Sequence, residues 1–182
     1  ILKTKNEHIE KNNIELTRKN KFITDSIYYA KKIQDSILPS EKLFKRNFAD
    51  HFIFYKPRDI VSGDFYWCVE IEGENGSSSN KRIVLATADC TGHGVPGAIM
   101  SMIGNTLLNE IIINRNTLNP AIILKELNKR IISAFKRAED EIQDDGMDIS
   151  ICTFDENFSH ITIASAMQRV YLVRDGLLKV ID

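Results

Sequence analysis

The 182-residue sequence predicts an α+β protein in which one long helix precedes a domain of strands, two helices and further strands. Two observations support this class. Residues 1–40 contain no glycine and repeat apolar side chains every seven positions, which is typical of a coiled-coil helix. From Phe48 onward, short apolar or alternating runs between polar turns indicate strands. We therefore divide the chain into a dimerisation helix, 1–40, and a domain, 41–182.

The seven-residue repeat predicts that the first helix pairs with a second copy of itself. One row of the seam consists of Leu2, Ile9, Leu16, Ile23, Ala30 and Ile37. The other row is largely polar and consists of Asn6, Asn13, Asn20, Ile27 and Gln34. Buried Asn in such a row lowers stability but fixes the register of a parallel pair. We expect a parallel homodimer; the alternative is a single amphipathic helix that lies on the domain. Pro39 ends the helix.

The elements of the domain follow from apolar periodicity and turn residues. Strands are predicted at 51–55, 64–71, 81–88, 148–154, 160–166, 170–173 and 177–181. Helices are predicted at 96–114 and after Asn119, which precedes Pro120 as an N-cap residue precedes a proline in the first turn. The polar stretch 72–80 is expected to be a hairpin loop, and Asp175-Gly176 a tight turn.

Composition and charge narrow the function classes. The net charge of −1 gives no electrostatic footprint for nucleic acid, so we expect no nucleic-acid partner. No apolar run approaches the roughly 20 residues that span a bilayer, so we expect no membrane segment here. Three cysteines without a paired spacing favour reduced thiols and a cytoplasmic location.

Two carboxylates are predicted at strand ends beside glycine. Asp89 follows the apolar strand at 81–88 and precedes a glycine-rich turn and a helix. Asp64 follows Gly63 at the start of another strand. Such a pair suits a hard divalent cation such as Mg²⁺ or Mn²⁺. The alternatives are a helix N-cap for Asp89 and a turn acid for Asp64.

Two segments resemble the signature motifs of the SpoIIE-like, PPM-type metal-dependent serine/threonine phosphatases. They are Lys56 to Trp67 and Ala88 to Gly97, and their order and separation match as well. Asp145 to Cys152 and Ile33 to Pro39 resemble a later strand and the helix end before the catalytic domain of bacterial members. The resemblance implies an α-β-β-α sandwich, incomplete at the C-terminus. It also implies a phosphatase that hydrolyses phosphoserine or phosphothreonine with a metal-activated water.

The resemblance further implies two Mn²⁺ or Mg²⁺ ions held in part by Asp64, Asp89 and the backbone carbonyl of Cys90. Some relatives carry glycine where Cys90 stands, but any residue can offer a backbone carbonyl. Asp148 is a further candidate for a position near the metal. The family has more aspartates in its C-terminal strands, and the sequence stops at Asp182 before they are expected. We therefore expect this chain to bind metal weakly and to hydrolyse phosphate slowly or not at all.

Arg58 and His93 are candidates for substrate binding. The planar guanidinium of Arg58 suits a phosphate, and the alternative is a surface ion pair with Asp59. His93 could donate a proton, and the alternative is that the turn needs only a small polar residue there. The segment 164–169 departs from a glycine-containing turn of the relatives, which affects the geometry expected on the substrate side.

The resemblance implies a bacterial signalling role. The expected partner is a phosphorylated regulator protein, such as an anti-anti-sigma-like protein, and the expected regulation passes through the N-terminal helix. The alternative is a pseudophosphatase or another non-enzymatic dimerising signalling module. The presence of both Asp64 and Asp89 favours the enzyme.

Overall fold

The computed structural model of the chain describes residues 2–72, 81–135 and 146–181. The predicted hairpin loop beyond Glu72, and Asp145, lie outside these ranges. The helices are α1 (Leu2–Ile37), α2 (Glu41–Asn47), α3 (Gly94–Leu108), which continues as a π-helical segment (Asn109–Asn114), and α4 (Pro120–Phe135). The strands are β1 (Phe65–Ile71), β2 (Arg82–Cys90), β3 (Met147–Phe154), β4 (Ile161–Ala166), β5 (Val170–Arg174) and β6 (Leu177–Ile181).

Strands β1 to β4 form an antiparallel sheet in chain order, and β5 pairs with β6 in a separate hairpin. In the sheet, Phe65 lies opposite Ala88, and Asp89 lies opposite Asp148. The hairpin turns at Asp175-Gly176 with φ angles of +52° and +74°, as predicted for a tight turn of this type. Asn119 caps α4 as predicted, because its Oδ1 accepts the backbone N–H groups of residues 121 and 122.

One face of the sheet carries the main hydrophobic core. Side chains alternate along β2, so Val84, Ala86 and Cys90 are buried while Thr87 and Asp89 are exposed. Helices α3 and α4 and the π-helical segment cover the buried face. The largest side chains of this core with almost no exposure are Leu108, Ile111, Ile112, Ile123, Leu127 and Ile151. The exposed face is therefore the one on which the predicted carboxylate Asp89 stands.

The opposite face of the sheet is only partly covered. Helix α2 packs Phe44 against Cys68 and Ile83 near one end of this face. The predicted strand at 51–55 is wrong: the segment runs without strand pairing, and Phe52 and Phe54 are 90% and 86% exposed. An extended segment becomes a strand only when another strand bonds to its backbone. No described strand pairs with it.

In the described part of the chain, helix α1 contacts the domain near its C-terminal end. The side chains of Ile9, Leu16 and Ile23 are more than half exposed, whereas Gln34 is 2% exposed. Gln34 Nε2 donates to Ser62 O (2.6 Å) and to Ser101 Oγ (2.8 Å). Gln34 Oε1 accepts the N–H of Ser62 (3.0 Å). The amide thus fastens α1 both to the loop before β1 and to α3.

A second set of polar contacts fastens the last turn of α1. Asn105 Nδ2 donates to the carbonyl of Ile37 (3.2 Å), and Asn105 Oδ1 accepts from Asn109 Nδ2 (3.1 Å). Asn109 Oδ1 in turn accepts from Trp67 Nε1 on β1 (3.0 Å). The contact between helix and domain therefore depends on hydrogen bonds as well as on apolar packing. Although α1 is long, no helix in the described ranges is apolar enough to cross a bilayer.

We expect Gln34→Leu to loosen the end of α1. The substitution leaves the Ser62 N–H without its partner, and a buried unsatisfied donor costs about 1–3 kcal/mol. Denaturant unfolding should show this loss, and hydrogen exchange should be faster in the last turns of α1. The control is Asp35→Leu, an exposed neighbour whose loss of an ion pair should cost less than about 1 kcal/mol. Equal losses in the two variants would contradict this role of Gln34.

Candidate metal centre

Asp64 and Asp89 stand side by side at one end of the sheet. The β1–β2 register pairs Phe65 with Ala88, so the two acids are the next residues opposite one another. Opposed side chains in an antiparallel pair have Cβ atoms about 4.5–5.5 Å apart. Partial burial raises the pKa of Asp64, and so do a hydrogen bond with Asp89 and the negative charge of Asp89. A divalent cation can neutralise the negative charge that two adjacent carboxylates carry.

Three glycines allow the loop before β1 to touch the turn after β2. A β-carbon on Gly63 would lie 2.8 Å from the carbonyl oxygen of Gly92 and 3.0 Å from that of Cys90. A β-carbon on Gly97 would lie 2.5 Å from the same Gly92 oxygen. Gly92 also has a φ of +86°, which L-residues rarely adopt. No side chain larger than hydrogen fits at these contacts, so the glycines fix the backbone on which the two acids stand.

Cys90 offers its backbone, not its thiol, to this end of the sheet. The side chain is 3% exposed and faces the core, on the opposite side of β2 from Asp89. Burial raises the pKa of the thiol to about 12, with smaller contributions from the charges of Asp89 and Asp64. A protonated thiol is a poor metal ligand. The carbonyl of Cys90 lies beside Gly63, one residue from Asp64, and remains the candidate donor.

Asp148 extends the row of acids onto β3. It lies opposite Asp89 in the register and is exposed. Gln168 Nε2 donates to the backbone carbonyl of Asp148 (2.9 Å), and Gln168 Oε1 accepts from Thr87 Oγ1 (3.3 Å). Within the described ranges, however, no group of three or more His, Cys, Asp or Glu side chains is arranged to hold a metal ion. The candidate side-chain ligands that the structure brings together are therefore Asp64 and Asp89.

Asp64 borders a cavity of about 440 Å³ over the exposed face of the sheet. Its lining includes Asp64, Thr87, Gln168 and the segment 51–56. Aromatic side chains dominate the rest of the lining, namely Phe44, Phe48, Phe52, Phe54, Tyr55 and Tyr66. Gln168 sits in the turn where the sequence departs from its relatives. The departure marked this turn as unusual, but the sequence did not show that Gln168 would bond to Asp148 and Thr87.

Arg58 and His93 lie in different surroundings. His93 Nδ1 lies 2.9 Å from Asp59 Oδ2, so Asp59 pairs with His93, and Arg58 forms no ion pair in the described part of the chain. Arg58 is exposed and lies in a groove beside α1 rather than in the cavity at Asp64. His93 is the N-cap residue of α3, so Asp89 does not fill that position.

Two further residues support the site and were not predicted to do so. Ser62 Oγ accepts the backbone N–H of Asp64 (3.1 Å), which orients the start of β1. Gln34 bonds to both backbone groups of Ser62, as described above. One signal in the sequence pointed to Gln34: it lies in the Ile33 to Pro39 segment that resembles the helix end of bacterial phosphatases.

The antiparallel sheet, its helical layer and the paired aspartates beside a glycine turn define a PPM-type, PP2C-like phosphatase fold. The family model for Stage II sporulation protein E (SpoIIE) matches residues 79–181, and the chain belongs to that family. Among solved structures, the SiaA-PP2C domain of Pseudomonas aeruginosa is similar, with 31% identity and a TM-score of 0.73. The match covers 90% of this chain and 61% of that one, so the chain spans about three fifths of that domain. No curated protein matches the chain.

We expect Asp89→Asn to stabilise the protein in a chelating buffer. Removing one of two like charges opposite each other on a sheet should gain about 0.5 kcal/mol at pH 7. The pKa of Asp64 is raised above its ordinary 3.8, so repulsion appears as pH rises through that raised value. The gain should therefore shrink towards pH 4, where Asp64 is increasingly protonated. Denaturant unfolding at several pH values measures this gain.

Added Mn²⁺ should make the unmodified chain more stable than the Asp89→Asn variant. An ion that binds only the folded state stabilises it by mass action, and the Asn variant offers one charged ligand fewer. Asp25→Asn on α1 is the control and should leave both the chelator and the Mn²⁺ curves unchanged. Equal stabilisation of the unmodified chain and the Asp89→Asn variant by Mn²⁺ would contradict the assignment of Asp89.

Proposed function

We propose that the chain is the catalytic part of a metal-dependent phosphatase that hydrolyses phosphoserine or phosphothreonine on a partner protein. The observation that supports this most is the adjacency of Asp64 and Asp89 beside a glycine turn in a chain of the SpoIIE family. Carboxylates and a backbone carbonyl are hard oxygen donors, which fit Mn²⁺ or Mg²⁺ and not a thiolate-seeking metal. The donor set that the chain offers thus agrees with the cofactor expected for the family.

The proposed division of labour follows from position. Asp64, Asp89 and the carbonyl of Cys90 would hold the ions, two in number by family resemblance. Bound divalent ions lower the pKa of a water molecule and neutralise phosphate oxygens. His93 is held through Nδ1 by Asp59, and no described residue bonds to its Nε2, which is therefore available to bind or protonate a substrate oxygen. Arg58 would bind the substrate from the side of α1.

The experiment is hydrolysis of a phosphoserine peptide and of a small aryl phosphate. We expect activity only with Mn²⁺ or Mg²⁺, a loss of about a hundredfold or more in Asp89→Asn, and none in the control Asp25→Asn. The chain spans part of its relative, so turnover by the 182 residues should be slow, and the natural full-length protein is assayed beside it. Activity that survives excess chelator, or Asp89→Asn turnover equal to that of the unmodified protein, would refute the proposal.

A non-enzymatic function is the second candidate. It is favoured by one observation: in the described ranges, only two acidic side chains come together where a metal would bind. A dimerising module that binds a regulator without hydrolysing it would need no complete metal centre. The same assay decides, since such a module gives no Mn²⁺-dependent turnover in either the chain or the full-length protein.

We also propose that α1 forms a parallel homodimer over Leu2 to Ile23. The seam side chains Ile9, Leu16 and Ile23 are exposed and unused by the domain. Near the end of α1 the seam packs against the domain instead, because Gln34 is buried against Ser62 and Ser101. In a parallel pair, Lys5 of one helix flanks the seam next to Glu10 of the other, which favours that alignment.

Regulation through α1 would use the same contacts. Gln34 bonds to Ser62, and Ser62 bonds to the backbone of Asp64. A change in the pairing or rotation of α1 would therefore alter the backbone position of Asp64 through the hydrogen bonds of Gln34 and Ser62. We propose that an upstream signal shifts this equilibrium between docked and loosened states. The regulated target would be a phosphorylated regulator protein, such as an anti-anti-sigma-like protein, in the cytoplasm.

The dimer is tested by sedimentation of Leu16→Lys/Ile23→Lys. Like charges would then face each other in the seam, and we expect a monomer at concentrations where the unmodified chain is a dimer. The matched control is Ile14→Lys/Phe22→Lys, which changes two exposed apolar residues of α1 outside the seam and should remain a dimer. A monomeric unmodified chain at tens of micromolar would rule out the dimer.

A further inference from the structure

A groove of about 510 Å³ runs between α1 and the loop that leads to Asp64. Tyr28 and Lys31 of α1 form one wall, and the loop residues Pro57, Arg58, Asp59 and Ile60 form the other. The groove is separate from the cavity at Asp64, with which it shares no lining residue.

The groove presents positive charge on partly apolar walls. Its cations are Lys31 and Arg58, and its one acid, Asp59, has an oxygen engaged by His93 (2.9 Å). Lys31 contacts Asp35 (3.0 Å), but exposed pairs of this kind contribute little and are readily exchanged. Tyr28 and Ile60 supply apolar surface between the charges. A peptide with acidic side chains is complementary to this surface.

The groove lies close to the candidate metal centre along the chain. Arg58 stands six positions before Asp64, so the two lie within about 20 Å of each other even if the loop were fully extended. Asp59 also bonds to His93, in the turn that follows Asp89. A substrate whose phosphorylated residue reached Asp64 and Asp89 would therefore pass near the groove within several residues.

We propose that this groove binds the acidic segment flanking the phosphorylated serine or threonine of the protein substrate. The inference rests on the proposed phosphatase function and adds a docking site to it. Because α1 supplies one wall of the groove, the substrate contacts α1 and the loop 57–60 at the same time. Substrate docking therefore stabilises the docked position of α1, and α1 docking strengthens substrate binding by the same factor.

The test compares two labelled phosphoserine peptides of equal length by fluorescence anisotropy with the full 182-residue chain. One peptide carries Asp and Glu on both sides of the phosphoserine, and the other carries Asn and Gln there. We expect the acidic peptide to bind at least about fivefold more tightly at low salt, with the preference reduced at 0.5 M salt. Equal affinity for the two peptides would overturn the proposal.

Matched variants locate the binding surface. Lys31→Gln should bring the preference below about twofold, while Lys32→Gln, an exposed neighbour outside the groove, should keep it. Tyr28→Ala should weaken the binding of both peptides. This variant provides a second test of the groove if Lys31→Gln disturbs the folding of α1. Equal effects of Lys31→Gln and Lys32→Gln would overturn the proposal. A change in sedimentation of Lys31→Gln without a change in peptide preference would do so too, since it indicates a second copy as the occupant.

The two proposals fail in distinguishable ways. Absence of Mn²⁺-dependent hydrolysis in the full-length protein, with the peptide preference intact, refutes the phosphatase and leaves an acidic-peptide docking site. Mn²⁺-dependent hydrolysis without any peptide preference refutes the docking site and leaves the phosphatase.

Discussion

The close contact of three glycine backbones is the constraint on which the candidate site depends. Gly63 and Gly97 lie so close to the carbonyl oxygen of Gly92 that neither position has room for a β-carbon. This contact holds the loop before β1 against the turn after β2, and the β1–β2 register then places Asp64 beside Asp89. The acids stand on the exposed face of the sheet because the alternation that exposes them also buries the apolar residues under α3 and α4. Core and site therefore share one register, and a slip by one residue would exchange their faces.

The same loop connects the site to the rest of the molecule. Gln34 at the end of α1 bonds to Ser62, and the groove beside α1 is formed by residues of this loop. The contact is partly polar, and its polar groups can bond to water when α1 separates from the domain, so undocking costs less than exposure of a wholly apolar surface of that size. A helix held in this way suits a reversible switch. Its exposed seam, farther towards the N-terminus, is then the natural place for a signal to act.

The sequence predicted those features that are encoded locally. Helix and strand periods, the Asn119 cap and the closing hairpin turn depend on neighbouring residues, and all are present. The adjacency of the two acids followed from the motifs, although their binding of metal stays a prediction. The strand at 51–55 was wrong because strand pairing depends on a partner elsewhere in the fold. The sequence marked the segments that contain Gln34 and Gln168, but the hydrogen bonds of these two residues, and the pairing of His93 with Asp59, depend on tertiary contacts that a local pattern does not assign.

A crystal structure of the chain grown or soaked with Mn²⁺ tests the central claim most directly. The claim is that Asp64 and Asp89 together hold a divalent cation on the exposed face of the sheet. The prediction is anomalous scattering from manganese at about 2.1–2.2 Å from a carboxylate oxygen of each aspartate, with the Cys90 thiol uninvolved. Contradiction would come from manganese bound elsewhere, or from no manganese at this pair, at a concentration that supports hydrolysis by the full-length protein.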